Sequence, residues 1–170
     1  MSGSSDGAAE SRARFERLLG ELRPKLHSYC ARMTGSVIDG EDVVQEASLK
    51  ALEAFSSTPS IDYPEGWLFR IAHNAALDFL RRRARRDAAH SDEDPEMIVD
   101  PVAIAEDRQI AAASLRTFMR LPVAQRSSVI LSDVLGHSLS ECSEIVGGNV
   151  PAIKAALQRA HVPAIVRSID

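Results

Sequence analysis

At 170 residues the chain has room for one ordinary domain or two small ones, and its 45% hydrophobic content supplies real cores. Only 5% of residues are aromatic, which points to Ala/Leu-rich helices rather than sheets, and the formal net charge of −4 excludes indiscriminate coating of nucleic acid. Any nucleic-acid binding must therefore rest on a local patch.

No apolar run reaches the ~18–20 residues of a membrane span and no signal-peptide pattern opens the chain, so a cytosolic protein without membrane insertion is expected. Cys30 and Cys142 stand far apart in helical patterns and read as reduced structural thiols. The five histidines are scattered and no pair of metal-ligand motifs is present.

In chain order, the Ser/Gly-rich stretch Met1 to Ala9 reads as a disordered tail. Glu10 to Met33 follows with an apolar helical stripe of Phe15, Leu18, Leu22, Leu26, Tyr29 and Met33. Pro24 is expected to break or kink it into two helices. Thr34-Gly35-Ser36 is a turn signal.

Asp39 to Phe55 is a helix with acids crowding its N-terminus, where the dipole favours them. Val44, Ala47, Ala51 and Phe55 form its buried seam. Asp42, Gln45, Glu46, Leu49 and Glu53 share another face, which is either simply solvated or a docking surface for a basic partner with Leu49 as apolar anchor.

Ser56 to Gly66, with two prolines and a glycine, must be a loop. It is either a plain connector or, beside Tyr63 and Trp67, a trap for an unstacked base.

Trp67 to Arg86 buries Leu68, Ile71, Ala72, Ala75 and Phe79 at helical spacing. A second stripe carries Trp67, Arg70, Asn74, Asp78 and Arg81. Six arginines stand against one acid here, about +5 in an acidic protein. A basic cluster suits a helix C-terminus, but this one exceeds what capping needs. Such a face is either a solvated basic end or a nucleic-acid surface: arginine for phosphate, Asn for a base edge, an aromatic for an unpaired base.

Asp87 to Asp107 reverses the charge, with eight acids, no Lys or Arg, and Pro95 and Pro101 between them. This is an acidic linker, expected also to mask the basic helix. Ile104 to Arg120 returns to helix with Ile110, Ser114, Leu115 and Phe118 inward, and Pro122 to Leu135 forms the next. Ser138 with Glu141 spells a capping box, so a short helix spans Leu139 to about Val146. Gly147-Gly148 turns the chain, and Asn149 caps a last helix, Val150 to Ala160. The pair is either a helix-turn-helix or an αα-hairpin without a DNA role.

These pieces in this order resemble the extracytoplasmic-function sigma factors of bacterial RNA polymerase. The stretches that carry the resemblance are DGEDVVQEASLKAL (39–52), WLFRIAHNAALDFLRRR (67–83), LPVAQRSSVILSDVLGHSLSECSEIVG (121–147) and NVPAIKAALQRA (149–160). The resemblance implies an all-α fold of two small domains. A region 2-like domain spans 10–86, the acidic linker 87–107, a region 4-like helix-turn-helix domain 108–161, and a tail 162–170. It implies that Asp42, Gln45, Glu46 and Leu49 bind the β′ clamp helices of core RNA polymerase. Trp67, Asn74, Asp78, Arg81, Arg82 and Arg85 would bind the promoter −10 element, with the 56–66 loop capturing a base. Arg70 is left to that face or to bracing the domain.

Asn149, Lys154, Gln158 and Arg159 would bind the −35 element, on a domain seated on the β flap. An anti-sigma factor is a further implied partner; no cofactor and no catalysis are implied. The chain departs from the pattern at Cys142 and Gly148, where apolar residues are usual. At Ala156 a polar contact is usual, and at His161-Val162-Pro163, expected to end the helix, arginines usually follow. A sigma-like decoy that binds an anti-sigma protein without reading promoters is the alternative of a different class. A free-standing helix-turn-helix regulator would leave the acidic face of 39–55 without a role. No nucleophile–base or paired-carboxylate set points to an enzyme.

Overall fold

A computed structural model describes the backbone of residues 3–58, 60–90 and 106–167, and the side chains of 6–58, 60–90 and 113–161. Among the described residues the chain is helical throughout: α1 (Gly3–Thr34), α2 (Val37–Phe55), α3 (Pro64–Ala89), α4 (Glu106–Met119), α5 (Val123–Val129), α6 (Leu139–Val146) and α7 (Val150–Arg167). A π-helical turn, Ile130–Val134, extends α5.

The first three helices pack on one another through Tyr29, Met33, Val43, Val44, Leu68 and Phe69, all essentially inaccessible. The apolar spacing of each helix dictates this, since one stripe per helix must leave water. Phe15 stacks on Phe55 at 4.3 Å between ring centroids and meets Trp67 edge-on at 5.8 Å. Gly40 sets the approach of α2 to α1, because a Cβ there would lie 2.6 Å from the Ala31 backbone.

Several boundaries in this half differ from the sequence expectation. α2 starts at Val37 rather than Asp39. α3 takes in Pro64, Glu65 and Gly66 of the expected loop, where proline suits a helix's first turn, and runs on to Ala89. α1 starts at Gly3, so residues 3–9 are not a structureless tail; Asp6 in the first turn and Ala8-Ala9 suit helix propagation. α1 also runs through Pro24 without ending. Pro24 is exposed, and the carbonyl its ring crowds belongs to exposed Gly20, which has no side chain to obstruct a small outward tilt.

The second half buries Ile130, Leu131, Cys142, Ile145 and Ile153. Ser138 receives the Glu141 N–H at 3.1 Å and donates its own N–H to the Glu141 carboxylate at 2.7 Å, closing the expected capping box. Gly147 ends α6 at φ +75°, and Asn149 Oδ1 accepts the Ala152 N–H at 2.9 Å to start α7. The π turn is closed by Leu135 N–H donating to Ile130 O at 2.9 Å. α7 does not stop at His161-Val162-Pro163 but continues to Arg167, since proline's fixed φ is helical and costs one hydrogen bond. Leu115 and Ser114, expected inward, are exposed; Phe118 holds the inward position of α4 as expected. Ile110 and the acidic stretch 91–105, with its expected masking of the basic helix, lie outside the described side chains.

The two halves are docked. Arg126, only 6% exposed, reaches from α5 to donate to Met33 O of α1 at 2.7 Å, and also to Met119 O at 2.7 Å and Leu121 O at 3.1 Å. Arg83 of α3 donates to the adjacent Thr34 O at 2.9 Å. Both guanidinium groups thus sit at the C-terminal end of α1, where carbonyls lack helical partners and the dipole is negative.

Arg126→Met keeps the side-chain stem and removes three charge-assisted bonds. Urea unfolding should show a loss of roughly 2–4 kcal/mol, and small-angle scattering a larger radius of gyration. Gly40→Ala forces α1 and α2 apart and should cost about 1–3 kcal/mol in the same unfolding measurement.

Candidate nucleic-acid interface

α3 is amphipathic in three parts, because it is covered on two sides and open on the third. Leu68, Ala72 and Ala75 face α1 and α2, as the spacing predicts. Phe69, His73 and Ala76 form a second buried stripe that sequence reasoning missed. Their i, i+4, i+7 spacing was a readable signal, disguised by the histidine. The reason for that stripe is the second half: His137 packs edge-on against Phe69 at 5.0 Å.

His73 Nδ1 lies 2.7 Å from the Tyr29 hydroxyl in this closed interior. Burial depresses its pKa from the ordinary 6.5 to about 4, so it is neutral at pH 7.

The open side of α3 carries Asn74, Asp78, Arg81, Arg82 and Arg85, all exposed, along with Arg70 and Arg86. Asp78 and Arg81 pair on the surface at 3.2 Å. Trp67 does not join this exposed face. It is partly buried against Phe15, because the turn at which α3 begins leans on α1, and what remains accessible lines a small cavity.

The ridge on α2 is equally open. Asp42 and Gln45 are exposed, Glu46 is partly so, and Leu49 is 63% exposed, an apolar side chain standing in a polar row. None of the four is packed into the core. Glu46 bonds Lys50 at 2.8 Å and Arg82 at 3.0 Å, and these bonds, led by Lys50, hold its carboxyl below the usual range. The acidic and basic ridges are therefore neighbours. Asp42, Glu46, Phe79 and three arginines of α3 (Arg82, Arg85, Arg86) line a cleft of about 510 Å³ between them.

The loop before α3 is in contact with the second half. The Tyr63 hydroxyl donates to Glu141 Oε1 at 3.2 Å, and its ring lies over Gly66, where any Cβ would collide with it. Burial, with Glu141 alongside, pushes the Tyr63 phenol up to about 12, so it stays a donor. The Ser138 backbone N–H holds the Glu141 carboxyl below its usual range, so it stays an acceptor. Between loop and helix a cavity of about 240 Å³ is bordered by Asp62, Tyr63, Trp67, Arg70 and, from α6, Glu144. Arg70 thus borders the cavity.

In the second half Asn149, Lys154, Gln158 and Arg159 are all exposed on α7. Asn149 is occupied as a cap through its side-chain oxygen. Ala156 is 4% exposed and turns inward with Ile153 of the same helix. Cys142 likewise fills the core, and both cysteines are free and buried. Among the described residues no His/Cys/Asp/Glu group could hold a metal ion and no helix is long and apolar enough to cross a membrane.

This is a two-part helical chain with a capped helix-turn-helix, and comparison with known proteins gives its kind. The family model of sigma-70 region 2 matches residues 18–86, and that of sigma-70 region 4 matches 114–161. SigM of Mycobacterium tuberculosis, an ECF RNA polymerase sigma factor, is 32% identical over 153 residues, covering 90% of this chain and 76% of SigM. SigG of the same organism is 30% identical over 179 residues, covering 91% of this chain. The chain spans 48% of the length of SigG. The sigma factor RpoE, solved in complex with the anti-sigma factor NepR from Bartonella quintana, shares the fold at a TM-score of 0.70 and 22% identity, covering 87% of this chain and 92% of that one. The chain belongs to the ECF RNA polymerase sigma factors.

Because His73 is neutral when folded and takes a proton at its ordinary pKa when unfolded, stability is complete above about pH 6.5 and falls as pH drops towards 4. His73→Gln retains a partner for Tyr29 and should remove this slope. The difference between the two proteins' unfolding free energies should change by roughly 3 kcal/mol across that window.

Proposed function

We propose that this chain is an alternative sigma factor that binds core RNA polymerase in the cytoplasm and directs promoter recognition, melting and initiation. The observation that carries it is the pair of exposed ridges, acidic with one apolar anchor on α2 and arginine-rich on α3, in the region 2-type half. Asp42, Gln45, Glu46 and Leu49 dock on the β′ clamp helices. An exposed leucine ringed by polar groups is the form of an interface anchor.

Asn74, Asp78, Arg81, Arg82 and Arg85 engage the −10 element: arginines neutralise phosphates, and Asn74 reads a base edge. A flipped base enters the cavity between the 56–66 loop and Trp67 and is held by stacking and hydrogen bonds, ~1–3 kcal/mol per base. Asn149, Lys154, Gln158 and Arg159 contact the −35 element, with Asn149 acting at the helix start, and this half sits on the β flap.

In the docked arrangement Glu144 of α6 lines the base cavity, and Glu141 accepts from Tyr63, which also lines it. Their charge opposes DNA there, so the halves part before the loop can capture a base. An anti-sigma factor that stabilises the docked form would keep the protein silent. The chemistry of transcription belongs to the polymerase, and the chain supplies specificity without a cofactor.

Transcription in vitro with core polymerase tests this directly. Promoter-dependent transcripts should appear with the wild-type chain and fall at least about tenfold with Asn74→Ala or Arg81→Glu, polymerase binding being retained. Leu49→Ala should instead weaken polymerase binding by about tenfold or more. Binding to an anti-sigma partner with no transcripts from any promoter would favour the decoy.

A further inference from the structure

The described loop residues ahead of α3 have two sides. One faces the 240 Å³ cavity beside Trp67; the other forms a wall of a much larger open groove, about 870 Å³, against the N-terminal turns of α1. Thr58, Ser60 and Ile61 line both. The α1 side of the groove presents Arg12, Arg14 and Arg17, with Glu21 as the one acid among the lining residues. Its floor is apolar, made by Leu18 and Ile61 with partly buried Phe55 over the Phe15 ring. These arginines precede the stretch matched by the region 2 family model, which begins at residue 18.

We infer that this groove is a track for single-stranded promoter DNA, receiving the nucleotides next to the base captured on the loop's other side. The inference rests on the sigma-factor reading of the loop and adds a site to it. Three features select the occupant. The groove adjoins the base cavity across the shared wall of Thr58, Ser60 and Ile61, so a strand that drops a base into one lies beside the other. Its charge complements a phosphodiester chain.

The apolar floor with an aromatic edge suits unstacked bases, which a duplex would not offer. Among the described residues Arg12 and Arg14 pair only with Glu16 and Glu10 of their own helix, at 2.9 and 3.9 Å, in exposed positions. Such exposed i,i+4 pairs are weak and exchange readily for phosphate. Arg17 makes no ion pair among the described residues.

The full chain is titrated with a fluorescent 12-nucleotide oligo(dT) at several salt concentrations, beside a duplex of equal length. The triple variant Arg12→Gln, Arg14→Gln, Arg17→Gln is expected to bind oligo(dT) at least about tenfold more weakly. Its logarithmic salt slope should be shallower by about 2, as for three lost single-strand phosphate contacts. Duplex binding should be unchanged. All three side chains are exposed, so an unfolding midpoint matching wild type confirms an intact fold.

Equal oligo(dT) affinity in variant and wild type overturns the track. An equal loss on duplex makes these arginines a general phosphate patch and overturns it too. So does displacement of oligo(dT) by poly-glutamate at equal charge concentration, which assigns the groove to an acidic protein segment. The transcription assay stands apart: if wild type directs transcripts but the oligonucleotide result fails, the groove alone is withdrawn. If no transcripts appear, the sigma-factor reading fails whatever the groove binds.

Discussion

The C-terminal end of α1 governs the arrangement of everything else. Its last carbonyls have no partner within the helix and are buried where water cannot serve them. Arg83 satisfies Thr34 from within the first half, and Arg126 satisfies Met33 from across the docking surface. Two cations of the same sign are drawn to one helix end because the carbonyl dipoles there outweigh their mutual repulsion. The cost is visible on Arg126, whose pKa is lowered chiefly by burial and then by Arg83. Parting the halves means returning these groups to water together. The docked state is thus held by these polar bonds together with the buried stripe of α3 that includes Phe69 and Ala76, which shares one core with Ile130, Leu131, Cys142 and Ile145 of the second half.

The ridges on α2 and α3 are distinct in sign but not in place. Arg82 reaches Glu46 across the groove between them. A partner helix that takes Glu46 into its own ion pairs would free Arg82, and a phosphate that takes Arg82 would free Glu46. Each ligand thus removes a competitor of the other. The pair is partly exposed, so the coupling is modest, on the scale of ~0.2–1 kcal/mol typical of surface ion pairs.

Much of this was legible in the sequence because helices advertise themselves by spacing and by end signals. The seam of α3, the capping box at Ser138 and Glu141, the cap at Asn149 and the exposed faces of α2 and α3 all follow from local rules. The features that stayed hidden depended on the other half of the molecule. Arg126 looks like any helix arginine until the end of α1 arrives beside it, a separation of 93 residues. Trp67 sits on the polar stripe by spacing and is removed from it by Phe15 of another helix. Pro24 and Pro163 carry a strong local signal that did not end their helices, since proline's φ is helical and Pro24 is exposed beside Gly20.

The π-helical turn at Ile130–Val134 carries one more residue than an ordinary turn would. It lies between Arg126, which fixes the second half to the first, and His137, Glu141 and Glu144, which face α3 and its loop. An α-helical closure of the same stretch would rotate α6 and α7 by about 100° about the axis of α5. The docking bond and the helix-turn-helix are thus phased by a single inserted residue, like two gears set one tooth apart. A chain lacking one exposed residue of that turn, Asp133 or Val134, would keep every cap and every core side chain, yet swing α6 and α7 away from α3.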